Sequence, residues 1–177
     1  LVQALADQLP TSSSSCCGGP LSFHEGGRLD LPQPGDNFET HMLYHTFTHP
    51  MAMMLALVDV VGGGVLERLP GLTVVSLEGN CSWASWLSRR LGGHYGMSAA
   101  YDHSDLKMET SEYFRRQCYL SVECYADPAE IVFNIGLEDN IVFSTDYPHG
   151  DSKYPGSVER FLQMPLSTRA RRKSIWD

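Results

Sequence analysis

The sequence predicts an α/β fold in which a parallel sheet is covered by helices. Three observations carry that expectation. First, short apolar runs rich in β-branched and aromatic residues alternate with stretches of helical spacing, and such alternation needs parallel strands joined by helices. Second, each run ends in serine, one residue, then an ionisable group: Ser22 with His24, Ser76 with Glu78, Ser121 with Glu123, Ser144 with Asp146. Residues two apart share a strand face, so each strand should show one small-then-ionisable face. Phe23, Val75, Leu77, Val122 and Phe143 fall on the other face, which should pack on helices. In a barrel the first face is the lumen, and its carboxyl-terminal rim carries the chemistry. Third, a complete (β/α)8 TIM barrel takes about 250 residues and eight units, whereas these 177 residues offer four. The expectation is a partial barrel, about the last four strand–helix units, forming the C-terminal part of a longer protein. A small open doubly wound domain is the alternative, but neither Gly-x-Gly-x-x-Gly nor a P-loop is present.

The elements follow in order. Leu1 to Leu9 has helical spacing without a start signal, and 11–19 is a Ser/Cys/Gly tract expected to be a flexible connection. Leu21 to His24 reads as the first strand. His41, His45 and His49 follow at spacings of four, but His49-Pro50 resembles a helix start, with Pro50 at its first position. That start would leave His41 and His45 outside the helix. Met51 to Val61 is apolar almost all round, hence buried, and Gly62-Gly63-Gly64 ends it. Leu72 to Leu77 is the second strand, ending at Glu78. Ser82 to Leu91 is a helix whose Trp83 and Trp86 are expected in the core. Residues 92–110 read as an irregular surface excursion. A helical turn at Ser111 to Arg116 precedes the third strand, Cys118 to Val122. Asp127-Pro128 opens a helix closed by Gly136. Ile141 to Ser144 is the fourth strand, and Val158 to Met164 and Ser167 to Trp176 are closing helices.

Composition narrows the partners. The net charge is −8, and no basic patch exceeds Arg169 to Lys173, which argues against nucleic acid. No apolar run reaches the length of a membrane span, so no membrane partner is expected. Five cysteines without paired metal-ligand spacing read as reduced thiols of a cytoplasmic protein. A small-molecule substrate is expected, with the full-length protein a homo-oligomer.

The segment Ile141 to His149 is where chemistry is expected. A short buried strand ends in Asp146, and Pro148 cannot extend a ladder. A carboxylate at that position either sits at a site or only turns the chain. Phe143 to His149, followed by Gly150-Asp151, resembles the closing-strand signature of the amidohydrolase-related metal-dependent family, which includes aminocarboxymuconate-semialdehyde decarboxylase and related hydrolases. Ser22 to Gly26 is similar to that family's fifth strand, Gly64 to Pro70 and Thr73 to Trp86 to its sixth strand and helix, and Ser111 to Cys118 to the stretch before its seventh strand. The resemblance covers about residues 20–176.

It implies a metal-binding (β/α)8 barrel. His24 would be the fifth-strand metal ligand, and Asp146 the eighth-strand ligand that also handles a proton. The implied cofactor is a divalent metal, Zn first and Mn or Fe next; it would activate water or polarise a carbonyl. Strand parity and a place on the rim, rather than the resemblance, make Glu78 a second catalytic carboxylate, with Glu123, His149 and His49 as expected substrate or supporting contacts. The implied activity is a hydrolase acting on a C–N or C–C bond of a small organic acid, amide or ring compound. The family's decarboxylases carry histidine where this sequence has Glu78, so non-oxidative decarboxylation stands second and a non-catalytic binding protein third. The family's first-strand ligands have no counterpart in these residues, so the chain alone is expected to be inactive.

Overall fold

The computed structural model describes residues 19–24, 38–98, 106–123 and 135–176. The expected connection at 11–19, apart from Gly19, and the helix opened by Asp127-Pro128 lie outside them. Four parallel strands, β1 (Leu21–Phe23), β2 (Val74–Ser76), β3 (Cys118–Val122) and β4 (Ile141–Phe143), pair in sequence order. Helices α1 (His41–Leu57), α2 (Val65–Arg68), α3 (Trp83–Ser98), α4 (Thr110–Gln117), α5 (Ser157–Leu162) and α6 (Thr168–Ile175) accompany them. Sequential order with helical crossovers is how successive units of a barrel are laid down.

Burial of one sheet face drives the assembly. Val74, Cys118, Leu120, Val122 and Ile141 pack with Leu57, Val60, Leu66, Phe114 and Phe161 of the helical layer. Buried amides close the connections. Gln117 Nε2 donates to the carbonyls of Leu69 and Leu72 at 2.9 and 2.8 Å. Asn140 Nδ2 donates to those of Arg115 and Cys118 at 3.0 and 2.9 Å. Loop carbonyls that no strand would satisfy thus find donors.

The register corrects the expected face pattern. Ser76 is the Cα partner of Phe23 and of Leu120, and neighbours in a parallel register point the same way. Ser76 therefore lies on the helix-covered face, where its buried hydroxyl has no hydrogen-bond partner. Val75, not Ser76, shares the face of Ser22. Side-chain parity is fixed within a strand, but a one-residue difference of register exchanges its faces.

The helices also depart from the reading above. α1 starts at Thr40, whose hydroxyl accepts the Leu43 N–H at 3.4 Å, and Pro50 lies inside it. Proline there removes one internal hydrogen bond, and the helix tolerates the loss. His41, His45 and His49 consequently share one helix, with neighbouring ring centroids 5.2 and 4.1 Å apart. α1 passes through a π-helical turn, Val58–Gly62, before Gly64 reverses the chain at φ 74°. α3 runs through Gly92-Gly93 to Ser98, so residues 92–98 are helical rather than the start of an excursion. Trp86 is 54% exposed under the Arg90 guanidinium, not in the core.

One close approach fixes α1 on the sheet. A Cβ on Gly79 would lie 2.4 Å from Met53 Cγ, 3.1 Å from Met53 Cβ and 3.3 Å from the His49 carbonyl oxygen. Gly79→Ala should destabilise the fold by about 1–3 kcal/mol through overpacking. Met53→Ala in the same chain should recover part of that loss, because the two sites share one space. Thermal melts of the single and double variants measure it, and a Gly79→Ala melt equal to wild type would rule the constraint out.

Candidate metal centre

Two carboxylates meet beyond the carboxyl ends of β2 and β4. The chain leaves β2 at Leu77, whose N–H still donates to the Phe23 carbonyl at 2.8 Å. It then turns at Glu78, φ 63°, and at Asn80, φ 54°. Left-handed backbone is uncommon for residues that carry a Cβ and persists only where its surroundings hold it. Ser121 of β3 supplies part of that hold: its buried hydroxyl accepts the Glu78 N–H at 3.1 Å. Asp146 also sits at a left-handed φ, 58°, and its N–H donates to Ser144 Oγ at 3.3 Å. Glu78 thus arrives at the site through a left-handed turn, not through the shared face with Ser76 that its spacing implied.

Glu78 is the hub of the cluster. Its Oε2 is 3.2 Å from His24 Nδ1 and 4.0 Å from His49 Nε2, and its Oε1 is 3.3 Å from His149 Nδ1. His149 Nδ1 also lies 2.9 Å from Asp146 Oδ1. Ligand atoms of Glu78, Asp146 and His149 all fall within 4.8 Å of one another, the one such group found among the described residues. The two carboxylate side chains are only 13% and 17% exposed. Convergent carboxylate oxygens and an imidazole nitrogen are donors that Zn²⁺, Mn²⁺ or Fe²⁺ accepts, so this donor set fits a divalent ion.

The other expected residues divide. His24, at the edge strand, touches the cluster through Glu78 and is 55% exposed. His49 backs Glu78 from α1. Glu123 is buried and takes a hydrogen bond from Asn80 Nδ2 at 3.3 Å, outside the three-residue group. Sequence reasoning missed Asn80, whose left-handed φ is a conformation Asn favours, and missed the supporting role of Ser121. It also missed a cleft of about 530 Å³ between α1 and the Glu78–Trp83 turn, lined in part by His45, His49, Glu78, Asn80 and Lys153. Among the described residues, Cys81 and Cys118 are buried thiols outside the three-residue group, and burial pushes Cys118 up to about 12.

A family model of amidohydrolases matches residues 18–177. No curated protein matches the chain. Among solved structures, an amidohydrolase from Mycobacterium avium subsp. paratuberculosis K-10 is 23% identical with TM-score 0.63, covering 75% of this chain and 34% of that one. The 5-carboxyvanillate decarboxylase LigW from Sphingomonas paucimobilis is 19% identical with TM-score 0.71, covering 89% and 47%. A dihydroxybenzoic acid decarboxylase from Polaromonas sp. JS666, with bound manganese and the inhibitor 2-nitroresorcinol, is 17% identical with TM-score 0.64, covering 88% and 47%. The chain therefore spans less than half the length of these relatives, and it has the fold of a partial (β/α)8 barrel.

Ser121→Ala would leave the Glu78 N–H without its acceptor. The expected cost is about 1–3 kcal/mol of stability, together with weaker Mn²⁺ binding as Glu78 loses its aim. Ser121→Thr, which keeps the hydroxyl, should retain more of the binding. A metal titration alongside a melt reads both; unchanged binding in Ser121→Ala would remove the positioning role.

Proposed function

The chain belongs to the amidohydrolase family, and from that premise we propose that it carries part of a metal-dependent active site acting on a small organic acid, amide or ring compound. The observation that supports this reading is the convergence of Glu78, Asp146 and His149 within 4.8 Å. His24 and Asp146 would hold the divalent ion, with Glu78 against His24 and His149 against Asp146 beside it, and Zn, Mn and Fe all suit the donors. When bound, such an ion lowers the pKa of water and polarises a carbonyl.

The chain's own groups do the rest. His149 Nδ1, 2.9 Å from Asp146 Oδ1, braces the Asp146 carboxylate, so that the oxygen facing the substrate keeps its direction. Asp146 accepts a proton from the attacking water. Glu78, largely shielded from solvent and ringed by imidazoles, carries a proton towards the leaving group. His49 supports Glu78 from behind at 4.0 Å. The cleft beside Glu78 admits the substrate.

Hydrolysis of a C–N or C–C bond is the first reading, because Glu78 stands where the family's decarboxylases carry histidine. Non-oxidative decarboxylation is the second, favoured by the activities named for two proteins of similar fold. Isotopes separate them. In H₂¹⁸O and D₂O, a hydrolase puts ¹⁸O into the new acid, whereas a decarboxylase puts deuterium on the carbon that lost CO₂.

Two sets of variants of the full-length protein test the roles. His24→Ala and Asp146→Ala should each lower bound metal and activity by orders of magnitude, read by metal analysis and turnover. Wild-type stoichiometry and activity in both would sink the ligand assignment. Glu78→Gln keeps the shape and loses the charge, so turnover should fall about 10²–10⁴-fold while the melt stays near wild type. Unchanged turnover with lower stability would end the catalytic role of Glu78.

A further inference from the structure

β3 ends against the turn that carries Glu78, and its end touches that turn twice. Cys118, Leu120 and Val122 pack into the core beneath the helices. Ser121 therefore points to the opposite face of the strand, the lumen side in a barrel. Its hydroxyl accepts the Glu78 N–H at 3.1 Å. Glu123, just past the strand end, reaches the same turn: its Oε2 accepts from Asn80 Nδ2 at 3.3 Å. Glu78 and Asn80 are the two left-handed residues of the turn, and Gly79 between them is pressed against Met53 and the His49 carbonyl. The turn is thus confined by α1 at its middle and bonded to β3 on both sides of it.

Glu123 is only 3% exposed. Burying a carboxylate is costly unless hydrogen bonds compensate, and an apolar side chain of similar volume is often as stable in such a place. Stability alone gives little reason for an acid here, whereas its placement does. A carboxylate oxygen accepts, which turns Asn80 Nδ2 towards β3. Among the described residues no donor meets Asn80 Oδ1, so the bond to Glu123 is what orients that amide. The orientation matters two residues back. The two oxygens of Glu78 span His24 at 3.2 Å and His149 at 3.3 Å, and a swing of the turn would lose one contact or both.

We infer that Glu123 is a positioning residue of the metal centre. It stands outside the Glu78, Asp146 and His149 group and acts through Asn80, holding the turn so that the Glu78 carboxylate stays between His24 and His149. The inference rests on the metal-dependent reading above, and the metal alone tests it.

Mn²⁺ titrated calorimetrically into the full-length protein gives the readout, with a melt of each variant to check that it is folded. Glu123→Leu removes the acceptor and fills the space. It should weaken Mn²⁺ binding about 10–100-fold, the usual effect of losing a group that orients a metal site. Glu123→Gln keeps an acceptor oxygen for Asn80 and should recover most of the affinity. Asn80→Gly cuts the same contact from the other side, and glycine suits the left-handed φ, so it reads the contact even where Glu123→Leu does not fold. It should weaken Mn²⁺ as Glu123→Leu does. In a Glu78→Ala background, where the carboxylate being aimed is gone, Glu123→Leu should add no further loss, because the two act as one unit. Unchanged Mn²⁺ affinity in a folded Glu123→Leu or Asn80→Gly would overturn the positioning role and leave the metal reading standing. So would a Glu123→Gln variant as weak as Glu123→Leu, or losses that add to that of Glu78→Ala. Wild-type protein that takes up no Mn²⁺ would overturn the metal reading and this assignment with it.

Discussion

The contact of Gly79 with α1 is the constraint on which the site depends. Flanked by Glu78 at φ 63° and Asn80 at φ 54°, Gly79 meets Met53 and the His49 carbonyl with no room for a side chain. Trp83 then ties the same turn down through the Gly79 carbonyl. Without that approach α1 would stand further from the sheet. His49 would lose Glu78, and the cleft would lose one wall. Packing of a single small residue thereby determines the geometry of a polar centre, because close-packed interiors transmit displacements rather than absorb them.

Acids at the site and acids in the frame are partnered differently. Glu67 accepts the Tyr113 hydroxyl at 2.5 Å and pairs with Lys107 at 3.0 Å; these contacts hold its carboxyl below the usual range. Asp139 is likewise held down by hydrogen bonding from Lys173 and by the charge of Arg169, which seats α6 beside the sheet. Those cations are permanent, so the frame acids stay ionised at all moderate pH. Around Glu78 and Asp146 the observed ion-pair partners are imidazoles. Imidazole can lose its proton near neutrality or offer a lone pair to a metal. A centre built this way can exchange a proton or a cation, which the frame contacts cannot.

The serines that first drew the strand ends together have different fates. Ser121 and Ser144 accept the backbone N–H groups of Glu78 and Asp146, both left-handed residues. Each hydroxyl offsets part of the cost of bending a strand end out of the sheet. Ser76 lies among apolar neighbours, and its hydroxyl makes no hydrogen bond. One motif in sequence thus serves two physical environments, and the sheet register assigns them.

The sequence by itself determined the class and order of the elements, because alternation of strand and helix periods is a local property of side-chain spacing. The parallel sheet, the strand ends at His24, Glu78 and Asp146, and the start of α6 at Ser167 were all legible in that way. Tertiary structure decided what lies between elements. Ser76 faces the helices because β2 pairs with β1 and β3 in a register that no local period encodes. His41, His45 and His49 share one helix because a cap at Thr40 starts it before the start expected at His49-Pro50. Glu78 reaches His24, His49 and His149 because a left-handed turn, held by a serine 43 residues away, re-aims its carboxylate. Such contacts join segments far apart in the chain. Their energies depend on packing, and residue spacing alone carries no record of it.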